Sequence, residues 1–130
     1  MRKIKFRGKD IETDEWIYGD LIQRIGYMPS IMYDYEHGGK IHYGECAVKR
    51  ETVGQFTGLF DKNGKEIYEG DICRYTFLDS ISEVSYRIGC GLAGFDLTPA
   101  IHSENRLLDV EVIGNIHDNP VLLKGGNDED

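Results

Sequence analysis

The sequence predicts a mainly β fold in which short antiparallel strands form a small barrel or a pair of packed sheets, with little helix. Apolar and polar residues alternate in at least five segments, which is the period-two pattern of half-buried strands. Glycine-rich turns separate these segments, as is typical of small all-β domains. No stretch of about 11 residues carries an apolar stripe with helical spacing, so we expect only short helical turns, such as one at residues 119–123.

The first strand and the strands that follow it are predicted from side-chain alternation. Basic and apolar residues alternate from Lys3 to Arg7, which predicts a strand that buries Ile4 and Phe6, with a turn at residues 8–14 after it. Residues 15–25 are rich in aromatic and β-branched side chains, and the Gly-Asp pair 19–20 indicates a bulge or bend. A hairpin, whose turn contains two glycines, joins the next two predicted strands, residues 30–35 and 40–43.

The second half of the chain is punctuated by two turn signals. Asn63-Gly64 favours positive φ in a tight hairpin turn between residues 53–59 and 66–68. Gly70-Asp71 predicts a bend after the second of these strands. We interpret Asn63, Gly64, Gly70 and Asp71 as a structural turn motif. The remaining predicted strands are residues 72–77, 81–88 and 107–116.

We expect one compact domain over residues 1–124, which can also divide into an N-terminal lobe, 1–50, and a C-terminal barrel, 51–124. A chain of 130 residues buries about two thirds of its extended surface on folding. That size suits one domain and excludes a nucleotide-binding enzyme with a separate substrate domain. The final residues, 125–130, are Gly-Gly-Asn-Asp-Glu-Asp and predict a flexible acidic tail.

The charge distribution is acidic overall and basic at the start. The chain carries 15 Lys and Arg against 23 Asp and Glu, a net charge of -8, which disfavours a polyanionic partner. Lys3, Lys5 and Arg7 are nevertheless candidate nucleic-acid contacts, because aromatic residues lie near them. The alternative is that these basic residues form the solvated side of a strand, and we favour it.

The cysteines and histidines allow a metal site without matching a known pattern. His37, His42 and Cys46 are candidate ligands, but their spacing fits no common zinc motif. We favour surface histidines beside a buried free thiol, and we expect no disulfide framework. The sequence contains no apolar stretch long enough to span a membrane and no signal-peptide core, so we expect a cytoplasmic protein.

Other chemical patterns have simpler structural interpretations. Residues 89–94 match Gly-x-Gly-x-x-Gly, but the proline at 99 interrupts the helix that a dinucleotide site needs. Asp20, Glu69 and Asp71 could form a carboxylate pair if the two Gly-Asp bends approach each other, but an aspartate beside a glycine is typical of a turn cap, and we favour that interpretation. No nucleophile motif is present, so we expect no cofactor and consider an enzyme less probable than a binding protein.

Four segments together resemble one family. They are residues 4–7 (Ile-Lys-Phe-Arg), 53–59, 61–72 and 112–120. This combination is similar to the YopX family, whose members are encoded by temperate phages and prophages. Gly8, Lys9 and His117 depart from the family pattern, which has a small residue followed by Trp at the first two positions and often Tyr at the third. The resemblance implies a β-rich fold with an SH3-like barrel in the C-terminal part and a bacterial cytoplasm as the setting. It implies no catalytic mechanism.

The sequence therefore predicts a phage or prophage accessory protein that acts by binding, with a protein as the favoured partner. Self-association into a homo-oligomer is compatible with this function. The alternatives are a nucleic-acid-binding β-barrel and, third, a small metal-dependent hydrolase. They differ in the role they assign to the basic first strand and to the histidines.

Overall fold

The computed structural model describes residues 4–75, 80–85 and 106–124 and confirms the mainly β fold class. No α-helix occurs in these ranges; 3₁₀ turns span Arg50–Thr52 and Pro120–Lys124, and the second confirms the short helical turn expected near the end. No helix in the described part of the chain has the length and apolar character of a membrane span. The strands in the described residues are β1 (Phe6–Lys9), β2 (Trp16–Ile22), β3 (Ser30–His37), β4 (Lys40–Ala47), β5 (Gly54–Phe60), β6 (Glu66–Tyr68), β7 (Asp71–Tyr75), β8 (Ser80–Glu83) and β9 (Val110–Asn115).

The chain divides into two compact units, Met1–Phe56 and Thr57–Asp130, with the boundary inside β5. In the first unit the strand order is β4-β3-β2-β1-β5, and all the pairs are antiparallel. The β3–β4 hairpin is closed by Gly38 and Gly39, whose φ angles of +64° and +76° fit a two-residue type I′ turn. The hairpin predicted from the sequence is confirmed, and both of its strands are longer than expected.

The interior of the first unit is built around two fully buried aliphatic residues, Ile31 on β3 and Val48 just after β4. A Cβ on Gly8 would lie 2.8 Å from Val48 Cγ2, so only glycine lets the two segments pack this closely. Val48 also donates its N–H to the Pro29 carbonyl at 2.9 Å. These contacts hold the ends of β1, β3 and β4 together.

The second unit contains the larger apolar core. Strand β5 continues into this unit and pairs with β6, while β8, β7 and β9 form a separate antiparallel sheet in that order. The core cluster consists of Leu59, Ile67, Cys73, Val84, Leu107 and Val110. The strands in the described ranges form open sheets, so the barrel expected for this part of the chain is not among them.

Several predicted boundaries differ from the structure. The turn expected at residues 8–14 begins later, because β1 extends to Lys9 and the turn occupies residues 11–13. The strand predicted at 107–116 begins at Val110, and β2 includes Gly19 and Asp20, where the sequence predicted a bulge or bend. The strand predicted at 72–77 is observed as β7 as far as the description extends, whereas the strand predicted at 81–88 is observed as β8, which ends at Glu83, before residues 84 and 85. The glycine-rich segment 89–94, Lys3 and the predicted tail 125–130 lie outside the described residues.

Candidate functional site

Strands β2 and β3 separate partway along their length. They pair between residues 20–22 and 30–32, whereas residues 16–19 of β2 pair with β1. In the described part of the chain, residues 33–37 of β3 pair with β4 alone. A groove of about 270 Å³, which we call the β2–β3 cleft, opens at the point of separation. It is lined by Ile4, Lys5, Tyr18, Gly19, Asp20, Met32, Tyr33, Asp34 and Tyr43.

Gly19 lies where the two strands come closest before they separate. A Cβ at this position would lie 2.0 Å from the carbonyl oxygen of Met32, which leaves no room for any side chain. Glycine therefore permits a backbone contact that another residue would prevent. The sequence indicated a bulge or bend here, and the structure shows a close approach between neighbouring strands.

One face of the cleft combines aromatic, thioether and carboxylate groups. Asp20 is opposite Met32, and Asp34 is opposite Tyr43, so these four side chains project on the same side of the sheet. Tyr18 lies two residues before Asp20 and shares that side. Tyr18 is 43% exposed and Tyr43 is 71% exposed. This arrangement offers large apolar surfaces next to negative charge.

The carboxylates of Asp20 and Asp34 are available to a ligand. Both residues are exposed, and neither forms a salt bridge or a side-chain hydrogen bond within the described ranges. The cation in the cleft lining is Lys5, whose Nζ lies 5.9 Å from the centroid of the Phe56 ring. A cationic side chain placed here would be attracted by the carboxylates and also by the tyrosine rings, through cation–π interactions.

Aromatic side chains also cover the opposite face of the β3–β4 hairpin. Tyr33 lies over Gly44, where an added Cβ would be 2.5 Å from Tyr33 Cζ. Tyr35 stacks on the His42 ring across the hairpin, with a centroid separation of 5.4 Å. Tyr33 and Tyr35 are 6.1 Å apart between ring centroids. Because a two-stranded ribbon has little core of its own, these rings stabilise the part of the hairpin that extends beyond β2.

The expectation of a solvated basic face on the first strand is wrong for Arg7. Arg7 is 5% exposed, and its guanidinium carbon lies 4.3 Å from the centroid of the Trp16 ring. Lys9 is 8% exposed, and its Nζ lies 5.4 Å from the same ring. Ile4, which we expected to be buried, is 66% exposed. Period-two alternation identifies two faces of a strand, but it cannot say which face the rest of the protein covers.

Neighbouring side chains, Trp16 above all, contribute to this burial. Strand β1 is internal, since β2 and β5 pair with its two edges, and Trp16 lies directly opposite Lys9. Lys9 Nζ also contacts Asp14, at 3.5 Å, and the same carboxylate accepts a 2.6 Å bond from Lys49. These interactions hold the pKa of Asp14 below its usual value, with the Lys49 hydrogen bond as the largest cause. The basic residues of β1 thus contribute to structure more than to a phosphate-binding surface.

The three candidate metal ligands do not converge. His37 and His42 lie near the hairpin turn, with ring centroids 6.0 Å apart, and the Nε2 of His42 lies 3.2 Å from the His37 carbonyl oxygen. Cys46 lies four residues further along β4, roughly 13 Å away along an extended strand. Its thiol donates to the Asp10 carboxylate at 2.9 Å. Within the ranges described here, no group of three or more potential ligands could hold a metal ion.

Cys46 is a half-buried free thiol with reduced acidity. Burial, the hydrogen bond to Asp10 and the charge of that carboxylate raise the pKa of Cys46 to about 11. Cys73 is fully buried in the core of the second unit, and burial raises its thiol pKa strongly. Neither environment activates a nucleophile, which requires a lowered pKa.

Three residues of the turn motif, Asn63, Gly64 and Gly70, lie in turns, and Asp71 begins β7 directly after the second turn. Gly64 has a φ of +84° and Gly70 a φ of +94°, in the region that favours glycine. Asn63 donates its backbone N–H to the buried Asp61 carboxylate at 2.8 Å. Asp71 is 2% exposed and accepts the Tyr68 N–H at 2.7 Å, so it caps its own bend. These contacts account for the Asp71 carboxylate without a catalytic function.

A larger cavity of about 520 Å³ lies under the loop between β2 and β3. It is lined by residues 23–29 and Arg50. Its two guanidinium groups have partners: Arg24 forms a 2.7 Å salt bridge with Glu45, and Arg50 donates to the Tyr27 carbonyl at 3.3 Å. The cavity is therefore shaped by contacts that hold the loop, and the β2–β3 cleft is the stronger candidate site.

The sequence did not identify the cleft. The sequence indicates Asp20 as a turn cap or one half of a carboxylate pair, and it gives no sign of a site at Asp34 or Tyr43. The available signal was the set of tyrosines in the predicted hairpin: Tyr33 and Tyr35 share one face, and Tyr43, across the two-residue turn, lies on the other. Exposed aromatic residues on both faces of a hairpin are typical of a binding surface.

Comparisons with known proteins extend over almost the full chain. A family model described as YopX protein matches residues 5–124. No curated protein matches the sequence. Among solved structures, the crystal structure of protein EF1440 from Enterococcus faecalis is similar, with a TM-score of 0.60 and 28% sequence identity. That similarity covers 95% of this chain and 99% of the other.

Proposed function

The chain belongs to the YopX family, and on that premise we propose that it is a phage or prophage accessory protein that binds another protein through the β2–β3 cleft. The observation that carries the proposal is the combination of exposed tyrosines and unpaired carboxylates on one side of the sheet. We expect the partner to present basic side chains and the complex to form in the bacterial cytoplasm.

Surface composition supports a protein partner. Tyrosine is enriched in protein interfaces because it contributes a large, rigid contact area and a polar hydroxyl. Tyr43 and Tyr18 expose such surfaces beside Asp20 and Asp34. The net charge of -8 attracts a basic partner at long range, which increases the association rate.

Electrostatics disfavour the nucleic-acid alternative. Phosphate contacts need accessible Lys and Arg side chains. Arg7 and Lys9 are instead enclosed beside Trp16, and the cleft lining carries two carboxylates, Asp20 and Asp34, against the half-buried cation Lys5. The hydrolase alternative lacks support as well, since the candidate metal ligands are dispersed among the described residues.

The test compares charge reversal in the cleft with charge reversal elsewhere. Partners are captured from a lysate of the native host after prophage induction, with three forms of the protein as bait. These are the wild type, an Asp20→Lys, Asp34→Lys double variant and a Glu12→Lys, Glu51→Lys control. Glu12 and Glu51 are exposed and lie outside the cleft. We expect the cleft variant to recover at least tenfold less of a specific protein than the wild type and the control do.

Two results would contradict this function. Equal recovery by the cleft variant would show that the cleft is not the contact surface. Loss of the partner after nuclease treatment would favour nucleic acid. Sedimentation of the purified protein over a concentration range identifies the remaining possibility, in which the partner is a second copy of the chain.

A further inference from the structure

We propose that the partner binds as an extended strand that adds to the open edge of β3 beyond Met32, with basic and apolar side chains in alternation. This inference rests on the proposed function and specifies how the β2–β3 cleft is used. Two features of β3 support this mode of binding. Some of its backbone groups point away from β4, and the side chains beside these groups favour one kind of added strand.

The hydrogen-bonding pattern of the hairpin identifies the backbone groups that face β4. In an antiparallel pair, alternate residues direct their N–H and C=O groups to opposite sides. The two-residue turn at Gly38-Gly39 makes His37 and Lys40 a hydrogen-bonded pair. Pro29, eight residues earlier, also bonds across to Val48. Odd-numbered residues of β3 therefore bond to β4.

The backbone N–H and C=O groups of the even-numbered residues of β3 consequently point away from β4. Met32 is an example. Its carbonyl oxygen lies closer to Gly19 on β2 than its carbonyl carbon does, so this C=O group points toward β2. The same alternation directs the N–H and C=O groups of Asp34 and Glu36 away from β4. Strand β2 does not pair with these residues, and their backbone groups bond to no other described residue. The result is an open strand edge.

This edge lacks the features that normally block strand addition. Natural edge strands are protected by prolines, bulges, charged side chains (lysine above all) or a loop that covers them. The charges on this edge, Asp34 and Glu36, are carboxylates, which oppose an acidic strand and attract a basic one. The β3 sequence at residues 33–37 is Tyr-Asp-Tyr-Glu-His, and its pairing with β4 is regular throughout. Exposed edges of this kind bind extended peptides in several classes of recognition domain.

Side chains next to the edge specify the pattern of the added strand. A residue opposite Asp34 or Glu36 would share the face that carries these carboxylates and Tyr43. Lys or Arg suits that face. The alternate residues would lie on the face of Tyr33 and Tyr35, where aliphatic or aromatic side chains fit. The occupant is therefore a protein segment in which basic and apolar residues alternate.

The binding experiment uses the full chain and a blocked heptapeptide, Lys-Val-Lys-Val-Lys-Val-Lys. Calorimetry measures affinity at low salt, and amide hydrogen exchange by NMR measures protection of Asp34 and Glu36. We expect saturable binding and at least tenfold slower exchange of these two amides in the complex. A matched peptide with Glu in place of Lys should not bind.

Two backbone-methylated peptides distinguish strand addition from attraction between charges. One carries N-methyl groups on the three valines and the other on the last three lysines, so that charge and the number of methyl groups are the same. Since only one set of amides faces β3, we expect one methylated peptide to lose at least tenfold in affinity and the other to bind like the parent. Equal affinities for the two methylated peptides, or no binding of the parent, would overturn the inference.

Protein variants provide the reciprocal test. Glu36→Pro removes an N–H that bonds to no described residue, whereas Glu36→Gln removes the charge alone. We expect Glu36→Pro to weaken binding much more than Glu36→Gln, and circular dichroism verifies that each variant is folded. The methylated peptides keep the test decisive if the proline variant fails to fold. If the inference fails while the charge-reversal variant still loses its native partner, the cleft remains the contact surface but is used without strand addition.

Discussion

Replacing Asp61 by alanine should destabilise the second unit by about 2–4 kcal/mol. Asp61 is 1% exposed, and one carboxylate oxygen accepts the backbone N–H groups of Asn63 and Lys65 at 2.8 and 2.9 Å. The other oxygen accepts the N–H of Val112 on β9 at 3.0 Å. The carboxylate thus shapes the hairpin turn and links it to a strand some fifty residues later in the chain.

The loss of stability follows from the hydrogen bond that each of the three N–H donors loses. Asn63 and Lys65 lie in an exposed turn, so water can replace the carboxylate and each lost bond costs roughly 0.5–1 kcal/mol. The Val112 N–H is half-buried, so leaving it without an acceptor costs about 1–2 kcal/mol, the lower part of the range for a buried donor. Asp61→Asn should cost less, about 1–2 kcal/mol, because its carbonyl oxygen can still serve the turn while its amide group faces Val112.

Thermal denaturation, monitored by far-ultraviolet circular dichroism, measures this loss of stability. At about 4 °C per kcal/mol for a chain of this size, we expect the Tm of Asp61→Ala to fall by about 8–16 °C. Asp34→Ala removes the same charge from an exposed residue with no such hydrogen bonds, and its Tm should change by less than about 2 °C. A Tm for Asp61→Ala that equals the control value would refute the assignment of these bonds.

Gly64→Val should lower the free energy of unfolding by at least about 1 kcal/mol in denaturant titrations, because φ at this residue is +84° although open space surrounds it; an unchanged midpoint would show that the turn is of another type. Cys46 should react with iodoacetamide at pH 8 about a hundredfold more slowly than an ordinary thiol, since its pKa is raised to about 11. Asp10→Asn should accelerate that reaction, as measured by mass spectrometry of the peptide containing Cys46, and an equal rate would exclude the carboxylate as a cause. The carboxyl group of Asp14 should titrate below its usual value by NMR, so its contribution to stability is present above pH 4 and decreases as the pH falls through the lowered pKa. Lys49→Gln should return this pKa toward the usual value, and no change would contradict the salt bridge.

The sequence was sufficient for the fold class and for the local turns. Alternation along the strands and the Asn63-Gly64 pair depend on interactions between residues close in the chain, so their pattern is visible without tertiary information. The same reasoning identified Asp71 as a cap, because an aspartate after a glycine bonds to nearby backbone groups. Family membership followed from the same segments, since turn and strand residues dominate its motifs.

Tertiary structure decided which residues are buried and where a partner could bind. Alternation in β1 defines two faces, but only the packing of Trp16 against Arg7 and Lys9 determines that the basic face is covered. The β2–β3 cleft depends on the pairing of two strands and on the close approach of Gly19 to Met32. Register and strand divergence arise from contacts between distant parts of the chain, and no local pattern encodes them. For this reason the sequence predicted a binding protein, and the structure located the surface.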